Sequence, residues 1–162
     1  MIKTPVLALC LAFSMFCVAA ADTLADQKRM AAKSLEFWSN GDVSQLDAVF
    51  APSYSNHQNP EVDGRDLTVD LEQWSKIIQG YHAAFPNTQI KILDQVAEDD
   101  QVSTRWEFTG TQTGTYLGLA PTSKTISWTG MQIDRFEDGK IAETWVNWDM
   151  YSMFKQLGLL KD

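Results

Sequence analysis

Cysteine is almost missing from this 162-residue chain: the only two, Cys10 and Cys17, lie near the N-terminus. Beyond residue 21 there is none, which removes thiol catalysis, thiolate metal ligation and disulfide stapling from the rest of the sequence. Histidine is equally scarce, with 2 in all, His57 and His82. Their spacing suits neither zinc nor iron, so no metal site is expected. Basic residues are few and unclustered: Lys+Arg is 13 against 21 for Asp+Glu, a net of −8. Such a chain is a poor partner for nucleic acid or for an anionic membrane surface. No apolar run reaches the ~20 residues that a spanning helix needs.

What is present in quantity is apolar and aromatic. Hydrophobic residues make up 44% of the chain, with 6 Trp and 8 Phe, ample for one packed core. Residues 1–21 stand apart. Lys3 is their only side-chain charge, Val6 to Ala21 is apolar except for Ser14, and Ala19-Ala20-Ala21 precedes the polar Asp22. A basic start, an apolar middle and a small-residue end describe a secretory signal peptide. Residues 1–21 are therefore expected to be cleaved, after Ala20 or Ala21, from a protein exported to the periplasm or secreted. Neither cysteine is placed for lipoprotein processing. Cleavage after Ala21 removes both cysteines and Lys3, taking the net from −8 to −9. Residues 22–162 then form a single domain held together by packing alone.

The first half of that domain has helical spacing. Leu24, Met30, Ala31, Leu35 and Trp38 predict a helix over 22–40 that stops at Asn40-Gly41. Asp42 and Gln45 resemble a capping box for a short helix to Phe50, and Pro52 ends it. A brief extended piece, 54–58, leads into a polar loop with Pro60 and Gly64. Leu67, Leu71, Trp74, Ile78, Tyr81 and Phe85 mark one face of a long helix stopped before Pro86.

The second half switches to a period of two. Segments 88–98, 101–114, 125–137 and 140–148 alternate and are rich in Ile, Val, Thr and Trp. Asp99-Asp100 and Asp138-Gly139 separate neighbouring segments by two residues, the mark of tight antiparallel hairpins. A short helix, 150–157, closes before Gly158. Helices first and a meander after them predict an α+β domain. In 101–114 the even positions include Val102, Trp106 and Phe108, against Arg105 and Glu107. In 125–137 they include Ile126, Trp128, Gln132 and Asp134, and in 140–148 Thr144, Val146 and Trp148. The even set is the apolar one and is placed towards the helices.

The stretch from Gly110 to Gly158, with its GTQTG, GLAPT and DGKI pieces, resembles the SnoaL-like polyketide cyclase family. FAPSYSNH (50–57) and AAFPNTQI (83–90) add to the likeness. The family lies in the nuclear-transport-factor-2-like superfamily. The resemblance therefore implies a cone-shaped, curved antiparallel sheet with N-terminal helices packed over it, enclosing a pocket. It also implies cofactor-free ring closure in which a carboxylate removes a proton beside a carbonyl. A register without gaps from Gly139 to Gln156-Leu157-Gly158 places the family's aspartate base on Val146 and its histidine on Gln132. Gln112 takes the place of a histidine in GTQTG, and Asn56 matches an asparagine at the pocket mouth.

Val146 cannot move a proton, so the base must be sought elsewhere. Asp149, at the end of the last strand, either points into the pocket as a base or caps the helix that follows. His57 is either a pocket acid or base or a surface loop histidine, and His82 is a helix-face packing residue. Asp134 is expected at the rim, paired with neighbours of Arg135 or with solvent. Trp106, Phe108, Trp128, Val146 and Trp148 would line an apolar cavity, with Gln132 and Asn56 orienting a ligand. Three readings follow: a cofactor-free cyclase or isomerase using Asp149 or His57, a binder of hydrophobic ring-bearing or polyketide-like molecules, and a homodimeric module pairing through the odd face at Trp145.

Overall fold

The first helix, α1 (Leu7–Asn40), ends where Gly41 adopts φ 68° and its N–H donates to the Phe37 carbonyl at 3.0 Å. A side chain there would meet the His82 ring as well as the backbone strain of the left-handed region. The structure, a computed structural model, describes the backbone of residues 7–57 and 68–160, with side chains from residue 23 onward. Residues 1–6, the side chains of residues 7–22 and the loop with Pro60 and Gly64 thus lie outside the described residues. Among the described residues no helix is long and apolar enough to cross a membrane.

The short helix α2 (Leu46–Val49) leads directly into β1 (Phe50–His57). The capping box expected at Asp42 and Gln45 is not formed: Asp42 Oδ1 accepts from the Ser44 N–H at 3.0 Å, and Gln45 makes no side-chain cap bond. The box is instead at Asp70, whose carboxylate accepts from the Gln73 N–H at 2.8 Å while Gln73 Oε1 accepts from the Asp70 N–H at 3.1 Å. It starts α3 (Leu71–Ala84) four residues later than the apolar spacing predicts. The preceding Thr68–Val69 is drawn into pairing with Asn56 and His57 as strand β2.

Four long strands follow: β3 (Gln89–Glu98), β4 (Gln101–Thr111), β5 (Thr125–Glu137) and β6 (Lys140–Trp148). They form an antiparallel meander, and β1 adds to β6 in parallel, so the sheet is mixed, with order β2-β1-β6-β5-β4-β3. Asp138 and Gly139 take φ 49° and 76°, the positive pair that a two-residue hairpin matched to strand twist requires. Register shifts within β1, β3 and β6 bend the sheet. Its even face curves around the helices as an open cone.

Burial follows parity. Val102, Thr104, Trp106 and Phe108 of β4 alternate with exposed or half-buried neighbours, and β5 repeats the pattern from Ile126 to Phe136. Two apolar clusters result. One joins Phe37, Phe50, Tyr54, Ile78 and Val102; the other joins Phe85, Trp106, Phe108, Trp128 and Met153, with Trp38 of α1 touching both. Fully buried side chains such as Phe85 and Ile78 contribute roughly 1.5–3 kcal/mol each. The last helix, α4 (Met150–Leu157), closes the second cluster with Met153 and Leu157 and ends at Gly158, φ 86°.

Candidate functional site

Between the two clusters lies a cavity of about 470 Å³, within the range of small-molecule sites. Trp38, Trp74, Tyr81, Trp106, Phe108 and Trp128 supply most of its wall. These rings pack at edges and tilts; Trp38, for example, meets Trp74 at 5.1 Å and 79° and Tyr81 at 5.2 Å and 79°. Such edge-to-face contacts fix ring positions more tightly than area burial alone. The mouth is bounded by Lys76 and Ile77 of α3 and by Thr115 to Leu117 of the β4–β5 connection.

That connection is fastened from inside by Gln112, which is fully buried. Its Nε2 donates to the carbonyls of Gly114, Leu119 and Ala120 at 3.2–3.4 Å, and its Oε1 accepts from the Thr122 hydroxyl at 2.6 Å and N–H at 3.2 Å. Gly114 allows the chain to pass against the Ala83 carbonyl, where a side chain would collide. One amide thus reinforces the short backbone pairing of Tyr116 with Leu119 and of Gln112 with Ser123 and Lys124.

The closed end of the cavity is polar, formed by Ser34, Tyr54, Asn56, Gln132 and Thr144. Behind it sits Asp134, 0% exposed. Its Oδ2 accepts from Gln132 Nε2 at 2.7 Å and its Oδ1 from the Thr144 hydroxyl at 2.7 Å. Thr144 also lies beside the Tyr54 hydroxyl, which accepts from Asn56 Nδ2 at 2.8 Å. Burial pushes the Asp134 carboxyl up to about 7, against the two hydrogen bonds, which favour its charged form. Burial likewise pushes the Tyr54 hydroxyl above the ordinary tyrosine range. The expectation that Asp134 sits at the rim is therefore corrected. Parity held it on the inner face, where two hydrogen bonds make a buried carboxyl tolerable.

The structure brings Asn56, Gln132, Trp106, Phe108, Trp128, Val146 and Trp148 together on this one cavity. Asn56, expected at the mouth, is at the closed end and fully buried. The two proton-carrier candidates are elsewhere. Asp149 is exposed and caps α4, its Oδ1 accepting from the Ser152 N–H at 2.8 Å, so of its two readings the structure places it as the cap. His57 follows buried Asn56 in β1 and so falls on the outer face. There it stacks on Trp145 at 5.1 Å and 11°, with Nε2 at 3.6 Å from Glu143 Oε1. Among the described residues no Asp, Glu or His lines the cavity, and no group of three or more His, Cys, Asp or Glu is placed to hold a metal.

Sequence reasoning missed Asp134, Tyr54, Thr144 and Ser34. A signal existed for two of them: Asp134 and Thr144 both belong to the even set, and polar members of an apolar set must find partners inside. Ser34 and Tyr54 come from distant elements, and nothing local in the sequence joins them to this cluster.

The sequence model of the SnoaL-like polyketide cyclase family matches residues 28–157. Among solved structures, the chain is similar to AclR of Streptomyces galilaeus, a candidate hydroxylase, at 28% identity and TM-score 0.75, over 86% of this chain and 85% of that one. IdmH of Streptomyces antibioticus, a candidate polyketide cyclase, is 28% identical with TM-score 0.71, over 82% of this chain and 98% of its own. TsrD of Streptomyces laurentii is 25% identical with TM-score 0.72, over 84% and 97%. No curated protein matches the chain significantly in sequence.

Proposed function

The chain belongs to the SnoaL-like polyketide cyclase family, and on that premise we propose that its cavity binds an apolar, ring-bearing molecule of polyketide type. The observation that supports this most directly is the division of the cavity: aromatic walls around about 470 Å³, with Ser34, Tyr54, Asn56, Gln132 and Thr144 gathered at the closed end. A flat apolar ring gains edge and face contacts along the walls, and an oxygen on it meets Tyr54, Asn56, Gln132 or Thr144. Binding comes before chemistry in this reading. Val146 occupies the position that the family resemblance assigns to an aspartate base, and a valine side chain cannot take a proton. Any acid–base step in this cavity would draw on Asp134 through the groups in front of it, without a cofactor. The leader of residues 1–21 places the protein outside the cytoplasm in this proposal; the test is the mass of the mature protein from a cell fraction, starting at Ala21 or Asp22.

The ligand reading is tested by filling the cavity. Purified protein titrated with anthraquinone is expected to lose tryptophan fluorescence saturably, since the cavity rings include Trp38, Trp74, Trp106, Trp128 and Trp148. Val146→Trp should weaken that binding at least tenfold (about 1.4 kcal/mol) while leaving the circular dichroism spectrum in place. Equal binding by the filled and unfilled proteins would sink the proposal.

A further inference from the structure

Asp134 sits behind a hydroxyl that reaches the cavity. Its Oδ1 meets the Thr144 hydroxyl at 2.7 Å, and Thr144 lines the closed end. A hydroxyl has one hydrogen to give, so this contact has only two directions. With the carboxylate ionised, Thr144 donates to it and offers the cavity an acceptor. With one proton taken up from solvent, the carboxyl donates to Thr144, and the Thr144 hydrogen is released towards the cavity. Gln132 Nε2 donates to the other carboxyl oxygen at 2.7 Å in either state.

We propose that Asp134, acting through Thr144, decides which oxygen the cavity accepts: a ring ketone or quinone carbonyl when protonated, a ring hydroxyl when ionised. This rests on the ring-binding reading above and adds the ligand's functional group to it. Few other charges disturb the device. From β1 the titratable group facing Asp134 is Tyr54 itself, from β4 the residue opposite is Val102, and from β6 it is Thr144. Gln132 is next inward on β5, with Ser34 of α1 at 3.4 Å from its amide. The nearest ion pair along the strands, Arg135 with Glu143, lies on the outer face. The carboxyl changes state near neutrality, at about 7, so the choice falls within the pH range that an exported protein meets.

The experiment uses two probes with one skeleton, 1-tetralone and 1-tetralol, neither of which ionises between pH 6 and pH 8. Ketone binding to the wild-type protein, read by tryptophan fluorescence, is expected to weaken about tenfold from pH 6 to pH 8, while alcohol binding holds or strengthens. Asp134→Asn presents an amide donor to Thr144 permanently. It should bind the ketone at the pH 6 strength of the wild type throughout, with no pH dependence for either probe. Should that variant fail to fold, Thr144→Val decides, because it leaves the carboxyl and removes the donor: the ketone slope must vanish. Parallel or flat profiles of the two probes in the wild type, or a tenfold slope surviving in either variant, overturn the proposal and leave the ring-binding reading standing. Failure of both probes to bind at any pH overturns both.

Discussion

Asp134 and Glu143 stand one register step apart on paired strands, since Asp134 is opposite Thr144 and Arg135 is opposite Glu143. The two carboxyls differ in almost every physical respect. Asp134 faces inward, has no cation beside it among the described residues and is pushed up to about 7 by burial. Glu143 faces outward, accepts from Arg135 Nε at 2.7 Å, and is held below the ordinary carboxylate range chiefly by that bond. The period of two is the cause: a single step along a strand carries a side chain from one medium to the other. The outer face answers with charge, as in Arg105 with Asp94 at 2.8 Å and Arg135 with Glu143. The inner face answers with rings and neutral hydrogen bonds. Ligand chemistry therefore belongs to the face where charge is scarce, because there a single proton alters the local field most.

Three substitutions test that contrast, beginning with the largest effect. The unfolded Asp134 carboxyl titrates near 3.8 and the native one at about 7, so between those values the native state holds a proton that the unfolded chain has released. Stability must then fall as pH rises from about 4 to about 7 and level off above. Asp134→Asn has no proton to lose and should escape that fall. At pH 8 it is expected to exceed the wild type by up to about 4 kcal/mol, and at pH 3.5 by nothing. Urea midpoints at the two pH values measure this, and equal pH dependence of the two proteins would refute the inner-face account. Second, Gly130→Ala on the inner face sets a methyl group into the Trp106 ring. It should cost about 1–3 kcal/mol, read as a lower Tm, whereas Thr129→Ala, one step away on the exposed side, should shift Tm little. Third and smallest, Glu143→Gln should remove a stabilisation with the opposite sign of pH dependence. The depressed Glu143 supports the fold above its unfolded value of 4.5 and loses that support as pH falls below it. A wild-type protein whose Glu143-linked stability grew in acid would contradict the comparison.

Parity made much of this legible in advance. The spans 125–137, 140–148 and 150–157 coincide with β5, β6 and α4, because alternation and a helix stop are written in adjacent residues. The aromatic inner face was readable for the same reason. Three features were not. The true capping box at Asp70 was masked because the apolar spacing begins at Leu67, before the box, and only pairing with β1 shows that Thr68–Val69 is strand. The parallel docking of β1 on β6 leaves no local mark, since no turn joins the two. The burial of Asp134 was hidden by a sound prior: an isolated carboxyl is expensive to bury. What overrides that prior is a hydroxyl from β6 and an amide two residues along β5. Asp149 shows the converse, an acid whose position before a helix already announced a cap.

Gln112 carries a consequence for the rate at which a guest comes and goes. Its five bonds to the 114–122 segment are made before any guest arrives, so the wall bearing Tyr116 and Leu117 need not be ordered at the moment of capture. If the cavity binds as proposed, association is expected to proceed without a gating step, its speed set by diffusion through the rim between Lys76 and Leu117. Differences in affinity among guests accordingly appear as differences in how long each one stays.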